Sequence, residues 1–463
     1  MTVYRLPALV PALSLVSLLL AGCAVGPTYH PPSEPPVALA AAPRLTPEPV
    51  DGDWWRTFGD PQLDQLIQRG LGANLDVRAA IDRVRAARAL FRGSELDLLP
   101  HVDATASYQA SRQQVPGFTA GPVSVRQASL GLDAAWELDL FGRVRHEVEA
   151  AHADAQAAEA DLRGAQVLVA AEIARNYIAL RGAQARRAVA EDNARTASDT
   201  LRLTGVRREV GAGDPIDLES AKARLSATQA TIPPLRMREA EAAHRLAVLI
   251  GVRPGELDAE LATPAATVAE PPSALPIGDA TGFLKRRPDV QAAERRLSAE
   301  TARTGMATAD LFPRVTVTGF VGFLTGDVSA LFKSGSRAWS VSPQLSWPGL
   351  DIGSATARLS AQRAQEDASL AAYRQTALRA VEDLQNALVD YRERQTQVVS
   401  LVEQVAASRR AAELAHIRYQ EGRIDFLRVL DAERTRLEAE DALSAAQTDA
   451  NLDVVAIYKA LGG

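Results

Sequence analysis

This 463-residue chain has one cysteine and six histidines, the residue types that serve as thiol nucleophiles and as the commonest transition-metal ligands. Cys23 stands directly behind Leu20-Ala21-Gly22, at the end of an apolar run that starts at Leu6. Small residues fit a peptidase cleft, and the thiol behind them can take up a diacylglyceryl group before cleavage. Arg5 gives the positive start of a secretory signal, and the apolar run is too short to span a bilayer comfortably. Leu20–Cys23 matches the bacterial lipobox, so residues 1–22 read as a signal peptide and Cys23 as the lipidation site. Diacylglycerol and palmitate on Cys23 would hold the chain to a membrane where a single acyl chain is marginal. Ala24 follows, in place of the aspartate that usually retains lipoproteins at the inner membrane, which favours the outer membrane. Residues 23–52 read as the lipidated cysteine and a Pro-rich, extended tether.

No other residue set is arranged for chemistry. The histidines are scattered, none with HExxH spacing, and neither a P-loop lysine nor a dinucleotide glycine pattern occurs. Acid pairs such as Glu382-Asp383 sit inside heptads and read as solvated helix faces. The expectation is no enzyme, no metal and no cofactor beyond the covalent lipid. Net charge is −6, with both signs interleaved among 23% charged residues, which argues against nucleic acid as a partner. Mean hydropathy is −0.09, and no run of about 18 apolar residues follows the N-terminus, so no transmembrane helix is expected in the mature chain.

Most of the chain is written twice. "NLDVRAA" (74–80) matches "RPDVQAA" (287–293), and "DLLP" (97–100) matches "DLFP" (310–313), both 213 positions on. Trp136 and Gly142 match Trp347 and Gly353, and Gly211 and Asp214 match Gly422 and Asp425, all 211 positions on. A loop two residues shorter in the second copy accounts for the change. The copies are bounded as 53–250 and 281–463, with a linker at 251–280, and each is of a size that could form one domain.

Each copy has one grammar. A helix (75–97; 289–310) stops at a proline. Two segments of period two follow. Val102, Ala104, Ala106, Tyr108 and Ala110 alternate with Asp103, Thr105, Ser107, Gln109 and Ser111. Segment 127–136 repeats the pattern, as do Val315, Val317, Val321 and Phe323, then Trp339, Val341, Leu345 and Trp347. Next comes a proline-free run, 143–210 or 354–421, on the order of 100 Å if helical. Ala377, Val381, Leu384, Leu388, Tyr391, Val398, Val402 and Val405 keep heptad spacing in the second, with Gln395 the polar member. After "GAGDP" or "EGRID" a last helix returns, over 216–250 or 426–461.

Alternation over about 10 residues suits a tilted strand crossing a bilayer. Strands cross lipid only as a closed barrel, which needs roughly eight or more. The chain offers four, so several chains must share one barrel; three would supply twelve strands. Tyr108, Trp136, Trp339 and Trp347 suit an interfacial aromatic girdle. A small soluble sandwich shows the same alternation, but the lipobox and the two long hairpins favour the shared barrel.

This order of elements behind a lipobox resembles the TolC-type outer membrane factors, in particular their lipoprotein branch, NodT. The similarity is carried by "DWWRTFGDPQLDQLIQRGLGANLDVRAA" (53–80), "RRPDVQAAERRL" (286–297) and "IRYQEGRIDFLRVLDAER" (417–434). It implies an α+β, mostly α homotrimer with a shared 12-stranded barrel in outer membrane lipid and a helical tunnel across the periplasm. It implies docking to a periplasmic membrane fusion (adaptor) protein and, through it, to an inner-membrane pump, of RND type for the drug-efflux branch. Val210-Gly211-Ala212 matches the family's adaptor-contact motif, of which the second copy keeps only Gly422. Leu427, Asp431 and Arg434 lie at positions similar to the family's periplasmic gate. There Leu427 would form an apolar ring and Asp431 a ring of like charge, tied by Arg434 in the closed state. An ordinary surface ion pair is the plainer reading of Asp431 and Arg434. The expected function is the exit duct of a tripartite efflux pump for small toxic compounds or drugs. The alternatives are the duct of a type I protein secretion system and a periplasmic coiled-coil lipoprotein without a pore.

Overall fold

The computed structural model describes residues 24–32, 45–46, 48, 52–114, 121–211, 213–262, 275–276 and 282–463. They form an α+β fold, mostly α, in two compact units. One unit takes Arg83–Glu159 and Ala292–Arg374 with the N-terminal segment; the other takes most of the remainder. Each unit thus draws matching pieces from both sequence copies, so the duplication and the compact units divide the chain differently. The signal peptide and Cys23 lie outside the described residues.

The first unit carries the sheet. Strands β1 (Leu45–Thr46) and β4 (Leu275–Pro276) pair with each other in parallel, in the second unit. The main sheet has the order β2 (His101–Gln113), β3 (Val123–Leu138), β5 (Arg314–Thr325), β6 (Arg337–Ser346), antiparallel throughout. The residues expected to share the apolar face do so across all four strands. Ala104, Leu132, Val321 and Trp339 form one cross-sheet row, and Val102, Ala134, Gly319 and Val341 the next. On the other face Asp103 stands opposite Asp133, and the Ser107 and Ser129 hydroxyls are 2.7 Å apart. One face is therefore mainly aliphatic and aromatic and the other mainly polar, with Phe320, Leu324, Val123 and Val125 as exceptions on the polar face.

Helices frame the sheet at one end. Helix α1 (Pro61–Ala73) leads to α2 (Leu75–Leu96), which ends just before β2; α3 (Arg143–Glu209) starts just after β3. Asn74 starts α2: its side-chain oxygen accepts from the N–H groups of Asp76 and Val77 at 2.9 and 3.1 Å. The second copy repeats this with α8 (Pro288–Ala309) before β5 and α9 (Ile352–Gln420) after β6. The repetition reaches single hydrogen bonds. Trp136 Nε1 donates to the Leu98 carbonyl at 3.0 Å, and Trp347 Nε1 donates to the Leu311 carbonyl at 3.1 Å. Each tryptophan satisfies a carbonyl just beyond the helix that precedes its hairpin.

The return limb of the first copy departs from expectation. In place of one helix over 216–250 there are two, α4 (Pro215–Ala230) and α5 (Ile232–Leu249). Pro233 and Pro234 have no N–H to continue the ladder, so the helix restarts behind Thr231. The second copy has no proline here, and α10 (Phe426–Leu461) runs unbroken. The described part of the linker holds β4 and the short helix α6 (Asp258–Leu261); a four-residue helix α7 (Phe283–Arg286) precedes α8.

The second unit is the apolar core. Trp54 stacks on Tyr458 with centroids 5.2 Å apart, and Leu63, Leu66, Ile67, Ile173 and Leu246 are fully buried in the same unit. Gly70 admits the Ile173 side chain, whose Cδ1 lies 2.2 Å from where a Cβ would stand. Arg287 explains part of the "RRPDV" segment: it donates to Asp289 at 2.7 Å, Asp383 at 3.1 Å and the Ala460 carbonyl at 3.1 Å. Along α9, Leu384, Leu388, Tyr391 and Val405 are buried as the heptad predicts, whereas Val402 is exposed.

Asp453, on α10, is pushed up to about 6 by burial, against the pull of the Arg394 guanidinium. A carboxyl that holds its proton more tightly when folded stabilises the fold below the ordinary carboxylate range, and that stability is lost as pH rises toward 6. Asp453→Asn is therefore expected to stabilise the protein at pH 7.5, by on the order of 1–3 kcal/mol, and to bring no gain near pH 3. Denaturation of the purified protein at the two pH values checks this; an equal gain at both would refute it.

Candidate functional site

The two helix-to-helix turns are built alike. Val210 and Gly211 close α3, and Gly211 takes φ +75°; Gly422 closes α9 at φ +72°. This left-handed geometry is strained for residues with a Cβ. Three residues on, an aspartate caps the returning helix: Asp214 accepts from the Ile216 N–H at 2.8 Å and Asp425 from the Arg428 N–H at 3.0 Å. A Cβ at Gly211 or Gly422 would meet nothing within 4 Å, so both turns offer bare backbone. Val210 is 71% exposed. Ala212 lies outside the described residues.

Behind the turns, Ala221, Tyr419, Phe426 and Val429 form a small buried cluster. The Arg207 guanidinium lies 4.5 Å from the Tyr419 ring centroid, a cation–π contact that closes one side. The cluster sets the rotation of α10. Phe426 and Val429 face inward, so Leu427, Asp431 and Arg434, at helical spacing, share the opposite, exposed face. Arg434 Nη2 donates to Asp431 at 2.7 Å, with both side chains more than half exposed. The three predicted gate residues are thus brought together on one open stripe.

Sequence reading missed the other face of α10. Glu433 continues the Phe426–Val429 seam, is only 4% exposed at its side chain, and meets His416 Nε2 at 2.5 Å. Glu440, one heptad on, is held by Arg409 at 2.7 Å. A carboxylate on an apolar seam needs a partner. That was the available signal, but the partner's identity depends on how α9 and α10 pack.

The sheet is the second candidate. Tyr108, Trp136 and Trp339 lie on its apolar face; Trp347 lies just beyond β6, level with the helix-side end. Trp136 also stands near that end, and Tyr108 toward the other. Trp339, 78% exposed, faces Val321 of β5 and stands two residues from the start of β6. Phe332, unremarked in the sequence, is 74% exposed in the β5–β6 connection and packs edge-on against Phe323 at 5.6 Å. Both outer strands, β2 and β6, have no partner on their free edges among the described residues.

The start of the described chain is seated beside the sheet's helix-side end. The Val25 N–H donates to the Phe141 carbonyl at 3.1 Å, and His146 Nε2 lies 3.1 Å from the Val25 carbonyl. Gly142 and Gly305 shape this seat: a Cβ at Gly142 would stand 2.8 Å from Ala24, and one at Gly305 2.7 Å from the His146 ring. Residue 24 is therefore held close to the β3–α3 junction.

An amphipathic sheet open at both edges, in a chain with two long helical hairpins, fits a channel-forming membrane protein. Comparison with known proteins makes the class specific. The family described as outer membrane efflux protein matches residues 66–252 and 282–463. The probable efflux pump outer membrane protein TtgC of Pseudomonas putida is 32% identical over 465 residues, covering 98% of this chain and 95% of that one. Nodulation protein T of Rhizobium leguminosarum bv. trifolii is 30% identical, covering 93% and 92%. The solved outer-membrane channel OprN superposes with a TM-score of 0.92 at 46% identity, over 95% of this chain and 99% of that one. The chain belongs to the outer membrane efflux protein family, and it is an efflux channel of the outer membrane.

Because the Asp431–Arg434 pair is exposed, it contributes little to the fold. Asp431→Ala with Arg434→Ala is expected to leave the thermal midpoint unchanged while raising the conductance of the closed channel. A lowered midpoint with unchanged conductance would mark the pair as structural.

Proposed function

We propose that three copies of this chain close their sheets into one twelve-stranded barrel, anchored by lipid on Cys23, and serve as the passive exit duct of a tripartite efflux pump. The observation that carries the reading is the four-stranded sheet with an apolar face and two free edges. In lipid those edges must be paired, and four strands are too few to pair with themselves. Pairing β6 of one copy with β2 of the next removes every edge. The apolar face then meets lipid, and the Ser/Thr/Asp face lines water.

Lipidation is supported by the lipobox and by the seat of residues 24–26. The seat holds the chain beside the end of the sheet where helix begins, at the level of a periplasmic membrane surface in this reading. The acyl chains on Cys23 would need no long reach. The exposed turns, with Val210 and the bare backbone at Gly211 and Gly422, suit close approach by an adaptor's helical hairpins. The stripe of Leu427, Asp431 and Arg434 would then form three-fold rings, and adaptor binding would shift them from closed to open. Energy comes from the inner-membrane partner, of RND type; the chain itself does no catalysis. The family relation favours efflux of small compounds over protein secretion.

Reconstituted trimer in a planar bilayer is expected to give discrete channel events; their absence from a correctly acylated sample would overturn the reading. Cys23→Ser is expected to abolish labelling by radioactive palmitate. Gly211→Asn, which tolerates a left-handed φ, is expected to keep the thermal midpoint and weaken adaptor binding at least severalfold. Binding that survives unchanged would remove this turn from the contact.

A further inference from the structure

Charge is unevenly spread over the sheet. Residues 104–132 contain no acidic residue, and residues 314–346 contain only Asp327. The same stretches carry Arg112, Arg126, Lys333 and Arg337 toward the end away from the helices. In a chain of net charge −6, this end holds four cations against one carboxylate.

The register says which way the arginines stand. Arg112 has the parity of Val102 and Tyr108 on β2, Arg126 that of Leu130 and Leu132 on β3, and Arg337 that of Trp339 on β6. All three belong to the apolar face, and all are exposed. Arg126 faces Ala110 and Arg112 faces Ser124, so the two are diagonal neighbours on adjacent strands, about 7–8 Å apart. None of the three makes an ion pair among the described residues. Asp327 is already engaged, accepting from the Ser329 N–H at 2.9 Å and the Ser329 hydroxyl at 2.8 Å. Arg126 and Lys333 share its field, so one carboxylate leaves most of the positive charge unmatched.

Along β2 the apolar face runs Ala104, Ala106, Tyr108 and then Arg112; along β3 it runs Leu132, Leu130, Ala128 and then Arg126. Phe332 is exposed in the same end region. Aliphatic, aromatic and cationic side chains in that order follow the layers of half a bilayer: hydrocarbon, interface and headgroup. An arginine on the lipid face is costly at the midplane and nearly free of cost near the interface. These positions are therefore acceptable only at headgroup level, where a guanidinium pairs with phosphate through two parallel N–H bonds.

We propose that Arg112 and Arg126 form a binding site for the anionic phosphate headgroup of a membrane lipid whose acyl chains lie on the apolar face. The proposal rests on the sheet's crossing the membrane, and its test separates the two. The full-length acylated trimer is placed in nanodiscs of equal parts phosphatidylglycerol and phosphatidylcholine, and retained lipids are counted by native mass spectrometry. The expected result is retention of phosphatidylglycerol in excess, falling by about fivefold for each arginine removed in Arg112→Gln and Arg112→Gln/Arg126→Gln. Arg112→Lys/Arg126→Lys is expected to keep most of the excess. Equal retention of the two lipids by the native protein, or an excess unchanged in the double glutamine variant, would overturn the site but not the barrel. Displacement of the lipid by millimolar inorganic phosphate alone would overturn the lipid assignment in favour of a soluble anion. A trimer that enters no nanodisc overturns the membrane-crossing reading and this site with it.

Discussion

The hydrogen-bonding edge of a β-strand in hydrocarbon is the constraint on which this molecule turns. Each unpaired backbone N–H or C=O in lipid costs several kcal/mol. Strands β2 and β6 run 13 and 10 residues with one edge free. The summed cost is on the order of tens of kcal/mol, well beyond the 5–15 kcal/mol that holds an ordinary domain together. A lone copy cannot be stable in a bilayer, so assembly and insertion are one problem. Long amphipathic helices meet the same demand in water, because the exposed Leu203, Val206, Leu378 and Val399 also need partners.

Duplication explains how one chain supplies a sheet whose two hairpins match. The β3–β5 pairing at its centre joins the second strand of one copy to the first of the other, the same junction that must recur between chains at β6 and β2. The tryptophan bonds to Leu98 and Leu311 and the aspartate caps at 214 and 425 are kept in both copies because each satisfies a backbone group that would otherwise be orphaned. Where the copies differ, the difference is local. Pro233-Pro234 divides one return limb, and the other stays whole.

Much of this was legible in the sequence, for physical reasons. A period of two survives any register, so the faces of the strands followed from residues 102–111 and 127–136 alone. The turn glycines and aspartates are backbone requirements, and they showed as Gly211–Asp214 and Gly422–Asp425. The Pro-Pro pair was equally visible; treating the return limbs as identical hid the break at Thr231. The cross-strand partner of Trp339 was not legible, because it depends on the register of β5 and β6. Nor was Phe332, which lies in a connection without periodicity, nor the His416–Glu433 pair, whose partners come from different helices.

Helix α10 has one face that is strongly held and one that is weakly held. Its inner face is tied by Phe426, Val429 and the nearly buried Glu433, and losing a partner there would strand a charge away from water. Its outer face bears Leu427, Asp431 and Arg434, whose contacts are exposed and can be exchanged for water at little cost. A rearrangement that preserves the hairpin while breaking the outer contacts therefore spends free energy only on the weak side. Had the strong pair faced outward and the weak pair inward, the same displacement would have unpacked the hairpin before it opened anything.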